Sequence, residues 1–161
     1  MRKVIVTLLA VLLTCACTSI DCPVQNTVYT VYELRTLDEQ PDTLRDTIYV
    51  YSYRSDGSDT ILYNAGIGKT TFSLPIGYSN PEDTLYFLLF NRPDFAAVDT
   101  VFIKKENIPH FESVDCSASF FHRLTAVRST HNAIDTIVIH KNFVDYDATT
   151  AHFYISFKSR R

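Results

Sequence analysis

The chain has 161 residues with 15 basic and 18 acidic side chains, a formal net charge of −3. That balance excludes a nucleic-acid binder, which would carry a clustered basic face, and the length suits one domain with a core of its own. Phe and Tyr are abundant, Trp is absent, Gly is scarce at 4 residues, and no low-complexity linker interrupts the chain.

Arg2 and Lys3 form a short positive region ahead of an apolar run from Val4 to Leu13. A run of roughly ten residues is the layout of a secretory signal and falls short of the ~20 that a transmembrane helix needs. Ala16-Cys17 fits the small residue and acceptor cysteine that end a bacterial lipoprotein signal. Leu12-Leu13-Thr14-Cys15 is the rival site, with Thr14 before the cut as its weak point. The expectation is a removed signal over 1–16, acyl chains on Cys17, a tether over 17–26 and a single domain over 27–161. Loss of Arg2 and Lys3 leaves 13 basic against 18 acidic residues, a formal charge of −5. Cys15 would leave with the signal and Cys17 would be capped. Cys22 and Cys116, each preceded by an aspartate, then remain to form a disulfide in a compartment that permits one.

From the tether onward the chain reads as strands. Val28 to Leu34 is rich in Val and Tyr. Thr47 to Tyr53 places Thr47, Tyr49, Tyr51 and Tyr53 on one face and Ile48 and Val50 on the other, the period of a half-buried strand. Asp56-Gly57 predicts a hairpin turn into Thr60 to Tyr63. Thr71 to Ile76 is a strand closed by Asn80-Pro81. Leu85 to Phe90 is apolar on both faces and predicts the most central strand. Arg92-Pro93-Asp94 turns it back into Val98 to Lys104, and Phe120 to Val127, Ile134 to His140 and Phe153 to Phe157 complete the set. No segment carries a helical period, although Asp94 and Asn107 could hold short helical turns.

Asp-Thr precedes an apolar run at Asp46, Asp59, Asp83, Asp99 and Asp135, where Asp suits the turn and Thr opens the strand. The irregular spacing makes it no solenoid repeat. Short strands with turn signals between them predict an all-β, Greek-key, immunoglobulin-like sandwich of about 8–10 strands, with a closed barrel as the alternative.

Candidate chemistry is sparse. Gly66-Ile67-Gly68-Lys69-Thr70 ends like a phosphate-binding loop, but Tyr63 stands where its first glycine is required and no helix follows. His110, His122, His131, His140 and His152, with Asp115 and Asp135, lack the spacing of a zinc site. Ser117 and Ser119 lie near His122 in sequence, but there is no nucleophile elbow, and an oxidised Cys116 could not serve as a thiolate. No catalytic residue, metal or cofactor is expected. Tyr49, Tyr51 and Tyr53, joined by Tyr29 and Tyr63 if these lie close, form a candidate binding face, since a row of aromatics can stack on sugars or anchor a protein. The basic end, Lys158-Ser159-Arg160-Arg161, reads as a solvated tail.

The runs CTSIDCPVQNTVYTVYEL, SLPIGYSNPEDTLYF, IPHFESVDCSASFFHRLTAVRSTHNAID and HFYISFKSRR resemble small lipoproteins of Bacteroides-type Gram-negative bacteria grouped as a domain of unknown function. The resemblance implies an exported, lipid-anchored β domain with Cys22 and Cys116 in place, and it supplies no activity, substrate or catalytic residue to carry over. Thr18-Ser19-Ile20 follows the lipid cysteine where surface-exported relatives usually carry acids, which implies a periplasm-facing anchor. The expected function is a non-enzymatic envelope lipoprotein that acts through contacts with an envelope protein partner. A glycan or small-ligand module using the Tyr-rich face is the alternative.

Overall fold

The computed structural model describes residues 22, 27–54, 56–91, 95–113 and 115–158. The expected signal segment, Cys15, Cys17, all of the tether but Cys22, Asp94 and the last three residues lie outside them. Ten strands form, and no helix, among the described residues. They are β1 (Tyr29–Leu34), β2 (Thr47–Tyr53), β3 (Asp59–Gly66), β4 (Thr71–Pro75), β5 (Glu82–Asn91), β6 (Phe95–His110), β7 (Ser119–Ser129), β8 (Ile134–Ile139), β9 (Phe143–Val144) and β10 (Phe153–Phe157). The order is β4-β1-β10-β8 in a four-stranded sheet and β3-β2-β5-β6-β7-β9 in a six-stranded one. Among the described residues each sheet ends in two unpaired edge strands, so the molecule is a β-sandwich and not the closed barrel considered as the alternative. Every pairing is antiparallel except β1 with β10.

The core lies between the sheets. Ile48 and Val50 of β2 point into it, fully buried, as their alternation with the tyrosines predicts. Tyr32 is stacked between Phe72 and Phe153, each ring centroid 4.9 Å away, with Phe87 edge-on. β1 is clamped by its neighbour twice over. The N–H of His152 donates to the Val31 carbonyl at 2.8 Å, and the Val31 N–H donates to His152 Nδ1 at 3.1 Å.

Three expectations change. Leu85, Phe87 and Leu89 of β5 are buried, but Tyr86, Leu88 and Phe90 on its other face are only half-buried. The strand is central in its sheet, as expected, yet among the described residues no third layer covers the outer side. β6 runs through Asn107, leaving no helical turn there, because its inward polar residues find partners. Lys105, 4% exposed, pairs with Asp83 at 2.6 Å, and Asn107 Nδ2 donates to the Tyr78 carbonyl at 2.8 Å. Asp99 opens no strand but sits in the middle of β6 with no exposure. Its carboxylate accepts the Thr130 hydroxyl at 2.8 Å and the N–H groups of Asn132, Ala133 and Ile134 at 2.5–2.7 Å, fixing the turn between β7 and β8. Burial opposes its charge, but these donors outweigh burial and hold the carboxyl below its ordinary pKa.

Cys22 and Cys116 form a disulfide with Cα atoms 5.5 Å apart. It fastens the N-terminal segment to the β6–β7 connection. Gly66 to Thr70 is no phosphate loop: it links β3 to β4 and closes the far end, with the Leu44 N–H on the Lys69 carbonyl at 2.8 Å.

Candidate functional site

Two surfaces gather the side chains that sequence reading singled out. The first is the outer face of the six-stranded sheet. The period of β2 turns Tyr49, Tyr51 and Tyr53 outward, and the register sets Tyr51 beside Tyr86 and Tyr49 beside Leu88 on β5. Tyr51 and Tyr86 stack with centroids 5.2 Å apart at 15°, and Tyr49 stacks on Phe90 at 5.6 Å and 16°. Tyr53 stands edge-on to both Tyr51 and Tyr86. Ile61 of β3 and Val98 of β6 extend the same face and are 59% and 39% exposed. Partial burial, followed by the neighbouring phenols and Asp59, raises the Tyr51 pKa, so its hydroxyl stays protonated and able to donate.

The expected extension by Tyr29 and Tyr63 is not found. Tyr29 belongs to the four-stranded sheet, while Tyr63 turns inward against Phe72, with centroids 5.3 Å apart. The bulges between β2 and β3 shift the register there, so counting alternate residues along the hairpin assigns Tyr63 to the wrong side. Tyr86 and Phe90 were concealed within an apolar run and take their place.

The second surface is a cleft of about 580 Å³ at the end of the sandwich where the N-terminal segment enters. Thr27 and Val28, the ends of β2 and β4, the starts of β3, β5 and β7 and the β4–β5 connection line it. Tyr78 stacks on Phe120 at 4.7 Å and 7°, and with 61% exposure it keeps one ring face open. Among the polar lining are Asp83 and His122. Asp83 holds Lys105 Nζ with one oxygen and accepts the Gly77 N–H at 3.2 Å with the other. His122 Nδ1 lies 2.8 Å from Asn107 Oδ1. Because the Asn107 amide group already donates to carbonyl oxygens, its Oδ1 accepts, which places the proton on Nδ1. Burial, then the Lys105 charge, pushes the His122 pKa down to about 4. The ring is therefore neutral at pH 7 and Nε2 carries a lone pair.

The other histidines are dispersed. His110 stacks on Phe121 and contacts Glu112, His131 lies against the Asp135 carbonyl, His140 stacks on Tyr154, and His152 clamps β1. Among the described residues, no group of three or more His, Cys, Asp or Glu side chains converges as metal ligands do. Asp115 is exposed beside the disulfide, and Ser117 is exposed nearby, while Ser119 is buried and bonded to the Tyr146 hydroxyl at 2.8 Å.

Against known families, residues 47–157 match DUF6452, a family of unknown function. No curated protein and no solved structure matches. The match starts at the first residue of β2 and ends at the last residue of β10. It leaves out β1, which alone joins β4 to β10, so the folded unit begins upstream of the matched stretch.

Proposed function

We propose that this chain, which belongs to the DUF6452 family, is a non-enzymatic lipoprotein of the envelope of a Bacteroides-type Gram-negative bacterium, acting through protein–protein contacts. The signal over 1–16 is removed, Cys17 is acylated, and the domain faces the periplasm. The Ala16-Cys17 junction supports the anchor, and the Cys22–Cys116 disulfide is in keeping with an oxidising compartment. Anchoring by more than one acyl chain is stable where a single chain is marginal.

The observation that carries the contact surface is the interlocked aromatic row on an uncovered sheet face. Tyr51 and Tyr86, and Tyr49 and Phe90, already lie face to face, so one face of each ring is taken by its neighbour and the rings stand as a locked group rather than as separate stacking platforms. Ring edges and hydroxyls remain, on side chains held in place by one another. Rigid, amphipathic Tyr is, with Trp and Arg, enriched at protein hot spots. This favours a protein over a glycan as the occupant of this face.

The test places a photo-crosslinking side chain at Tyr51, and in parallel at Val138 on the four-stranded sheet, in the acylated protein in its native membranes. One envelope protein captured from position 51 but not 138, and lost on Tyr86→Ala, is the expected result. No position-dependent capture would remove the contact reading. An intact mass with unmodified Cys17 would remove the anchor.

A further inference from the structure

We propose that the cleft at the entry end of the sandwich is a binding site for a neutral, hydroxylated ring compound of mono- to disaccharide size, stacked on Tyr78 and hydrogen-bonded to Asp83 and His122. The site adjoins the aromatic sheet face, with which it shares Tyr53, and the proposal does not depend on acylation. Its volume of about 580 Å³ falls within the range of small-molecule sites.

The floor of the cleft sets the chemistry. A carboxylate offers about four acceptor positions, and Asp83 uses two, for Lys105 Nζ and the Gly77 N–H. His122 adds an unprotonated Nε2, and Thr60 adds a hydroxyl that is buried without a hydrogen-bond partner. Asp83 and His122 call for donors, and the Thr60 hydroxyl can accept or donate. A wholly apolar occupant would strip water from Asp83 and His122 and replace it with nothing, leaving buried polar atoms unpaired. A cation would have to compete for Asp83 with the buried Lys105, which already pairs with it. An anion would meet the Asp83 carboxylate, and the exposed Arg54 on the lining, screened by water, offsets that repulsion only in part. A neutral polyol avoids all three conflicts.

The walls supply the other half of the recognition. A pyranose has a C–H face that packs on an aromatic ring and an equatorial rim of hydroxyls. The open face of Tyr78, backed by Phe120, suits the first. Leu62, Ile76 and Leu85 line the remaining apolar side. Tyr78 is held from below as well, because its carbonyl accepts the Asn107 amide that also orients His122. Platform and acceptor are thus positioned by one side chain.

The experiment titrates the isotopically labelled mature protein with glucose, galactose, mannose, N-acetylglucosamine, cellobiose and lactose in millimolar excess, reading amide and imidazole NMR shifts. The expected result is that at least one sugar moves the Gly77 amide and the His122 ring signals. Tyr78→Ala, an exposed position that leaves the core intact, should then weaken binding about tenfold or more, and Thr60→Val should weaken it while the spectrum stays folded. The proposal is overturned if none of these sugars moves the cleft signals. Laurate or inorganic phosphate binding there in their place would overturn it too, since either would mean the floor does not select neutral donors.

Discussion

Asp99 offers the sharpest test of what holds this sandwich together. Replacing it with Ala removes a buried carboxylate that accepts four hydrogen bonds. Thr130 and Asn132 are exposed and can turn to water, but Ala133 and Ile134 are buried. Their two N–H groups would be left without partners, at about 1–3 kcal/mol each. The expected loss is therefore about 2–6 kcal/mol, a fall of roughly 10 °C in Tm for a domain of this size. Asp99→Asn keeps one carbonyl acceptor and turns an NH₂ towards the remaining donors, so it should fall between wild type and Ala. The gap also has a pH signature. The carboxyl is held below its ordinary pKa in the folded state, so its stabilisation is full above the unfolded value of about 3.9 and is lost as pH falls through the folded value. Urea denaturation of wild type and both variants at neutral pH and in steps towards pH 3, with the disulfide intact, reads both effects. A cost below about 1 kcal/mol for Ala, or a gap that does not narrow in acid, would refute the argument that Asp99 anchors the turn as a charged acceptor.

Other parts of the structure yield their own expectations. Reducing Cys22–Cys116 frees a loop of 95 residues (sequence separation 94) in the unfolded chain, so the urea midpoint should drop by an amount equivalent to about 4–5 kcal/mol in the chain-entropy model. Gly66→Ala would drive its Cβ into Cε1 of the Tyr63 ring. That ring cannot retreat because it packs on Phe72, and a stability loss of about 1–3 kcal/mol should follow, which Gly66→Ala combined with Tyr63→Leu should largely restore. His122 has its pKa pushed down to about 4 by folding, so the unfolded chain takes up its proton first. Stability is full above about pH 6.5 and falls as pH drops towards 4, by on the order of 3 kcal/mol, and His122→Gln should flatten this part of the pH profile measured by thermal denaturation.

The strands were legible where one face is buried and the other is not. β2 and β10 have the bounds that alternation predicts, Thr47–Tyr53 and Phe153–Phe157, because period-2 burial is written directly into side-chain type. The pattern failed where polar groups are satisfied inside. Lys105 and Asn107 looked like the end of β6, yet each has a partner far away in sequence, Asp83 for one and the Tyr78 carbonyl for the other. The aromatic face was half legible. Tyr49, Tyr51 and Tyr53 announce themselves on one strand, but their companions Tyr86 and Phe90 depend on register with β5, which no local pattern encodes. The cleft was not legible at all. Residues from β2, β3, β4, β5 and β7 contribute to it, and only the topology brings them together. The two-residue β9 was missed as well, being too short to carry a period.

The parallel pairing of β1 with β10 also has a consequence in time. Among the described residues β1 is the first strand to be made and β10 the last, and the register joins Tyr32 to Phe153, 121 positions later in the sequence. At roughly 5–20 residues per second of synthesis, β1 waits on the order of ten seconds for the neighbour that clamps it through His152. Throughout that interval Val31, Tyr32 and Leu34, all buried in the finished fold, have no complete sheet to enter. Contacts this distant also slow the search for the native state once the chain is whole. Until its final strand is available the four-stranded sheet cannot close around β1, and a holding factor that shields β1 over this interval would act on the stage at which its apolar side chains lack their neighbours.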